Sequence, residues 1–417
     1  MTTAPRPGPS SRPRPRAAQP TPAARAALAD DLTRRLRGTD RPGALDVLRT
    51  AADTLLGAVG ADVWCAVMLD PATLLDTGGR HEEGFPQAVM PRLFEIEHTE
   101  QTGVDNLRAL TRRPGCASLL SQSTGGRLDE SVYYRDILRP TGLADELRVL
   151  LRHGNRSWGL FVLCRAPGSA PFTAADVALA DSFSAPATQA LRRSLLLSGI
   201  DRGDVPDAAG LLAFDDDQGT RLRTATAERW LALIQESHPG TGRPYPLTLT
   251  ALISRARAAG PGAHVQSRAL TRTGHWITLS AWREPAPDAP DAAGMLTYVS
   301  LAPSHPGELT AIVLDAYGLT PREREVAQHV LLGRSTADVA GALRIAEYTV
   351  QDHLRKVFDK AGVRSRREFT GDLFRRCYLP RLPAPPLTTD GRMRNDAPGG
   401  PAGPPRAPGQ PGQPGAK

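Results

Sequence analysis

Cysteine is scarce in this chain. Cys65, Cys116, Cys164 and Cys377 lie far apart, with no Cys-x-x-Cys pair and no histidine at ligand spacing. That spacing excludes a disulfide framework and a zinc ribbon, and the four are expected as free thiols in a reducing cytoplasm. His81, His98, His153, His264 and His275 show no metal-ligand spacing either, so no metal and no cofactor is expected. No apolar run reaches the roughly 20 residues that a membrane helix needs. The first 25 residues mix Pro, Arg and Ala without the apolar segment of a secretory signal. Catalytic signatures are equally thin: there is no phosphate-cradling glycine loop, no Ser-His-Asp order, no paired-carboxylate motif, no kinase-type ATP site and no phosphoacceptor receiver. Lysine is almost missing, with Lys356, Lys360 and Lys417 set against many arginines.

What is present suits several domains. A chain of 417 residues with 40% hydrophobic content accommodates two or three folded units. Its net charge of +7 and pI of about 9.6 are concentrated toward the two ends, leaving a nearly neutral middle. Such a distribution fits a middle that faces a ligand or partner and an end that faces nucleic acid. Residues 1–40, rich in Pro and Arg, and residues 379–417, rich in Pro and Gly, are expected to be disordered.

The most informative stretch runs from Leu319 to Phe374. Thr320 with Glu323, Ser335 with Asp338, and Ser365 with Glu368 place three cap-to-third-residue pairs there, and Pro321 sits at a first helical position. Val326, Val330 and Leu331, then Val339, Ala340 and Leu343, then Val350, Leu354, Val357 and Phe358 recur at helical spacing and predict the core of a small bundle. About three residues separate the second helix from the third, between Arg344 and Glu347, the tight connection of a helix-turn-helix. Thr349, Gln351, Asp352, Arg355 and Lys356 are predicted to point away from the apolar stripe.

With its Leu-Thr-x-Arg-Glu start at Leu319, Thr320, Arg322 and Glu323, this segment resembles the LuxR-type (GerE-type) helix-turn-helix family. Gly333, Ala340, Leu343, Thr349, Val350, His353, Lys360, Gly362, Val363, Ser365 and Arg366 continue the match. The resemblance implies a DNA-binding domain over 313–378, with the helix from Glu347 in the major groove. Gln351, Asp352 and Arg355 would then face base edges, while Ser335, Thr336, Thr349, Lys356, Arg364 and Arg366 would hold phosphates. It also implies a dimer joined through the helix from Arg366 to Arg375. Two features depart from the family's habit. Ala346 replaces a capping Ser, a loss of about 1 kcal/mol, and Gln351 followed by Asp352 stands where Lys is frequent. An amide and a carboxylate suit adenine and cytosine edges; equally, Asp352 can pair with Lys356 four residues on. His353 reads as a packing residue.

The front of the chain reads as mixed α/β. An amphipathic helix near Ala44 to Ala58 precedes a strand from Val63 to Leu69. Alternation through Leu147 to Leu151, a turn over His153 to Ser157, and alternation through Trp158 to Cys164 predict a hairpin. Phe172 and Thr173, with Asp176, open a long helix toward Leu196; Glu95 to Ser123 follows no period. This order resembles a GAF-type sensory domain over 41–200. Over 205–303, a strand at Leu211 to Phe214, a helix with Trp230 and Ile234, and strands near His264 to Leu270, Trp276 to Trp282 and Met295 to Leu301 resemble a PAS-type fold. The expected fold class is thus α+β multidomain: two mixed α/β sensory domains, GAF-like and PAS-like, and an all-α four-helix helix-turn-helix domain.

Together these readings predict a non-enzymatic, cytoplasmic, one-component transcription regulator. It would bind double-stranded DNA at an inverted repeat as a homodimer, take a small-molecule ligand in its sensory part, meet RNA polymerase, and have no membrane contact. The alternative is an enzymatic or redox-sensing front half, using Cys65 or Cys116, recruited to DNA by the tail.

Overall fold

The computed structural model describes residues 20–379 apart from 39–41, 82–84, 102, 198–205, 207, 218, 235, 238–244, 273 and 287–293. The expectation of disorder at residues 1–19 and 380–417 falls outside these. For residues 22–37 it is corrected. Thr21 accepts the amide of Ala24, Pro22 takes the first helical position, and α1 (Pro22–Arg37) follows, with Leu28 and Leu32 buried against the first domain.

The first domain is a sheet with different partners on its two faces. Its elements are α2 (Ala44–Val59), β1 (Val63–Leu69), β2 (Asp76–His81), α3 (Met90–Phe94), α4 (Leu107–Thr111), β3 (Ala117–Leu119), α5 (Leu120–Ser123), β4 (Asp145–His153), β5 (Arg156–Arg165) and α6 (Ala174–Leu197). The predicted hairpin is β4–β5, paired from Asp145 opposite Arg165 to His153 opposite Arg156. One face of the sheet, with Met68, Val149 and Phe161, packs on α1, α2 and α6. On the other, Val67, Leu69, Leu160 and Val162 meet α4 and the π-helical turns at Glu95–Glu100 and Tyr134–Leu138.

A second sheet follows. β6 (Gly210–Phe214), β7 (Thr220–Arg223), α7 (Ala225–Leu233), the two-residue β8 (Glu236–Ser237), α8 (Leu247–Ala259), β9 (Val265–Leu270), β10 (Trp276–Pro285) and β11 (Met295–Pro303) form its elements. Strands run β7-β6-β11-β10-β9, all antiparallel, over a core built around Trp230, Leu252, Leu279 and Val299. β8 leaves this sheet and adds in parallel to β2, so the first sheet reads β3-β4-β5-β1-β2-β8. Leu75, Met90 and Phe94 of the first domain lie in the second domain's core. Arg268 forks onto the buried Asp70 at 2.7 and 3.0 Å. The two domains therefore share both sheet and core.

Five helices end the described residues: α9 (Pro306–Ala316), α10 (Pro321–Leu331), α11 (Thr336–Leu343), α12 (Glu347–Ala361) and α13 (Arg366–Leu373), the last extended by a π-helical turn at Phe374–Tyr378. No helix among the described residues is long and apolar enough to cross a membrane.

Candidate nucleic-acid interface

The sequence fixes α10 and α11 at their starts. Thr320 accepts the amide of Glu323 while the Glu323 carboxylate accepts the amide of Thr320 at 2.8 Å. Ser335 and Asp338 exchange the same bonds. The third pair is only half formed: Ser365 accepts from the Glu368 amide, but Glu368 takes the amide of Arg364. Glu323 also receives Lys360 at 2.6 Å, which ties the start of α10 to the end of α12. Burial opposes its ionisation, but the Lys360 and Thr320 bonds outweigh that and hold its carboxyl below the ordinary glutamate value.

The turn that aims α12 is made by Arg344, which closes α11 in the left-handed region at φ 51°, a conformation that glycine or asparagine adopts more easily. Ala346 caps α12 without any side-chain bond. Val350, Leu354 and Val357 are buried, and the opposite face is open. Tyr348 is 76% exposed and the Arg355 side chain 73% exposed. Tyr348, Gln351, Asp352 and Arg355 recur at three- and four-residue spacing, so they form one row. Tyr348 is the member that sequence reasoning missed. Its signal was an aromatic ring placed off the apolar stripe.

The expected phosphate contacts divide. Lys356 is exposed, but with Arg355 it is held by Asp352, each at 2.6 Å. The bond from Lys356 holds the Asp352 carboxyl below the ordinary aspartate value. Ser335 has its hydroxyl engaged with Asp338 at 2.7 Å. Thr336 and Thr349 are half-buried near the starts of α11 and α12. Arg366 donates to the Arg334 carbonyl, whereas Arg364 is exposed with no side-chain partner among the described residues. His353 is half-buried and its Nδ1 has no partner among the described residues.

The first domain holds a second candidate site. A cavity of about 90 Å³ lies between its sheet and the segment Met90–His98, with apolar walls from Val67, Leu160 and Val162 and a polar end at Glu97, His98, Tyr133 and Arg148. Arg148, 4% exposed, donates to Glu97 and Glu146 at 2.5 Å each and to the Asp105 carbonyl at 2.8 Å. Tyr133 donates to Glu146 at 2.7 Å. Burial, only partly offset by Arg148, pushes the Glu146 carboxyl up. Cys65 also lines this cavity, and none of the four cysteines is in a disulfide.

Comparison with known proteins agrees with the C-terminal geometry. Residues 318–371 match the family described as bacterial regulatory proteins, luxR family. Spore germination protein GerE of Bacillus subtilis (strain 168) is 37% identical over 57 residues, 14% of this chain and 77% of that protein. The chain belongs to the luxR family. A second relative, the probable HTH-type transcriptional regulator GfsR of Streptomyces halstedii, is 40% identical over 50 residues, 12% of this chain. The chain spans 21% of the length of that relative. Outside the luxR match, residues 44–191 match the GAF domain. Among solved structures, the GAF domain/HD domain protein from Geobacter sulfurreducens is similar at 14% identity, covering 37% of this chain and 95% of that one with a TM-score of 0.28.

Proposed function

We propose that this luxR-family protein is a sequence-specific DNA-binding transcription regulator that acts as a symmetric dimer on an inverted repeat. The observation that carries the reading is the open row on α12, where a capped, packed three-helix support presents Tyr348, Gln351 and Arg355 to solvent. Arg355 has the reach to fork onto a guanine and Gln351 onto an adenine, while Lys356, Arg364 and the starts of α11 and α12 lie where a backbone would pass. One recognition helix per protomer makes few base contacts, so two half-sites about 34 Å apart supply the remaining affinity. The stacked, half-exposed rings of Phe374 and Tyr378 continue the helix that the family uses for dimer contact.

In this reading the GAF domain and the second sheet sense or relay a signal and carry no chemistry of their own. Strand order supports a PAS-like second domain: the first strand pairs with both the second and the last, and the remaining two follow outward. Selection of bound sequences from random duplex DNA by the full-length protein tests the regulator reading. An enriched inverted repeat, bound with two chains per duplex, is expected; no enrichment overturns it. Replacing Cys65 and Cys116 together by Ala is expected to leave that binding unchanged, and a loss would restore a thiol-dependent front half.

A further inference from the structure

His98 marks a binding site whose ligand class can be read from its surroundings. Its side chain is 9% exposed, stacks on Phe94 at 5.7 Å, and lines the cavity with no side-chain hydrogen bond among the described residues. Burial strips most of the water from the imidazole, so a group that enters the cavity and bonds to it supplies a hydrogen bond that the fold does not. Burial lowers the imidazole's pKa, so near neutral pH it offers one donor and one acceptor. The cavity's own charges are already spent. Arg148 has its three acceptors, Glu97 also accepts the amide of Leu107, and Asp76 accepts the amide of Gly78. Arg148 is the one cation among the described lining residues, with Arg255 and Arg108 lying outside the lining, so an entering anion would meet Asp76 and Glu97 first, and an entering cation would find both carboxylates engaged.

The wall of this cavity is not confined to one domain. Leu247, at the start of α8, lines it from the second domain, and Arg255 of the same helix donates to the His98 carbonyl at 2.6 Å. We propose that this cavity binds a compact, neutral molecule, about one ring in size, whose hydroxyl or amide head hydrogen-bonds to His98, and that α8 of the second domain registers its occupancy. The proposal deepens the sensory half of the reading above and is independent of whether the protein binds DNA.

Four single-ring probes of similar shape separate the possibilities by saturation-transfer NMR on the full chain: toluene, benzyl alcohol, benzylamine and benzoate. Benzyl alcohol is expected to bind at millimolar concentration or better and both charged probes at least tenfold more weakly. In the His98→Phe variant, which keeps the ring stack, benzyl alcohol should lose about fivefold in affinity, the worth of one neutral hydrogen bond, while toluene is unchanged. Leu160→Trp, which fills the cavity, should abolish binding of all four, with near-UV circular dichroism showing that each variant is folded. Hydrogen exchange with benzyl alcohol bound should slow the amides of α8. No binding of benzyl alcohol, binding that survives Leu160→Trp, equal binding of benzoate, or an equal effect of His98→Phe on alcohol and hydrocarbon overturns the ligand assignment. Protection confined to the first domain overturns the role of α8. A failed DNA selection touches none of these outcomes.

Discussion

Asp352→Asn tests how the reading head balances its charges. In the free protein one carboxylate holds two cations, Arg355 and Lys356, each at 2.6 Å. These are exposed pairs on one helix face, so they matter little to folding; their effect falls on DNA. Asparagine keeps the shape and removes the charge that competes with phosphate. On random duplex both freed cations can settle on phosphates. Each neutralised phosphate steepens the fall of log affinity with log salt by about 0.9, so the slope steepens by up to about 1.8 per protomer. Between roughly 50 and 200 mM salt that is about a tenfold larger loss of affinity. On the selected operator Arg355 is committed to a base, so only Lys356 is released and the slope steepens by about 0.9. The variant should therefore bind more tightly at low salt and discriminate less. Fluorescence anisotropy on both duplexes across a salt series reads these slopes. If the slope on random DNA matches that of the unsubstituted protein, neither cation reaches the backbone and Asp352 does not restrain them.

Arg355→Ala should relax base preference at one position per half-site and cost about 1–3 kcal/mol on the operator; uniform weakening on every sequence in a repeated selection would make Arg355 a phosphate contact instead. Phe369, fully buried between Tyr317 and Phe358, should cost about 3–5 kcal/mol when cut to alanine, read as an early unfolding transition of the C-terminal helices in denaturant. Glu323 has a folded pKa below its ordinary 4.5, so the stability it contributes is present above pH 4.5 and lost as pH falls through the lower folded value. Denaturant midpoints measured from pH 6 to 3 should fall along that course and flatten in Glu323→Gln. Gly318, at φ 71°, would bring a Cβ against Arg192 and His153; Gly318→Ala should displace Arg192 from the Ala316 carbonyl and speed proteolysis between α9 and α10, and an unchanged digestion rate would refute that role.

Elements with local signals were legible in the sequence, and elements defined by distant partners were not. The β4–β5 hairpin and the starts of α10 and α11 are specified by residues within a few positions of one another. For α8 there was no such signal. Pro246 offers no side-chain cap, and Leu247, Thr248, Leu249, Ala251, Leu252, Ile253 and Ala256 are all buried, so apolar residues run around the helix instead of along a stripe. The polar end of the cavity was hidden for a different reason. Glu97 and Arg148 are 51 positions apart, and the Glu95 to Ser123 stretch breaks into a π-helical turn, two short helices and a three-residue strand with no common period. By contrast, α1 carried its signal openly, with Thr21 and Pro22 at the start and Leu28, Leu32 and Leu36 four apart. Its proline- and arginine-rich surroundings masked it.

The way the first two domains hold the luxR-type domain constrains how a signal can act. None of the described polar contacts between them involves the α12 row. Arg192 of α6 donates to the Ala316 carbonyl at 2.8 and 3.1 Å, and Arg376 reaches the Leu196 carbonyl at the end of the same helix. Asp315, 12% exposed, lies between Arg156 of the β4–β5 hairpin at 3.3 Å and Arg324 of α10 at 2.5 Å. Burial raises its pKa against the pull of those two arginines, the expense of placing a carboxylate at a domain junction. A signal that shifted α6 would therefore move α9 and the Phe374–Tyr378 turn together and leave the reading row uncovered throughout. Control by covering the recognition helix does not fit this arrangement. Control by setting the distance between two recognition helices does, because the turn that α6 grips carries the rings proposed to join the protomers.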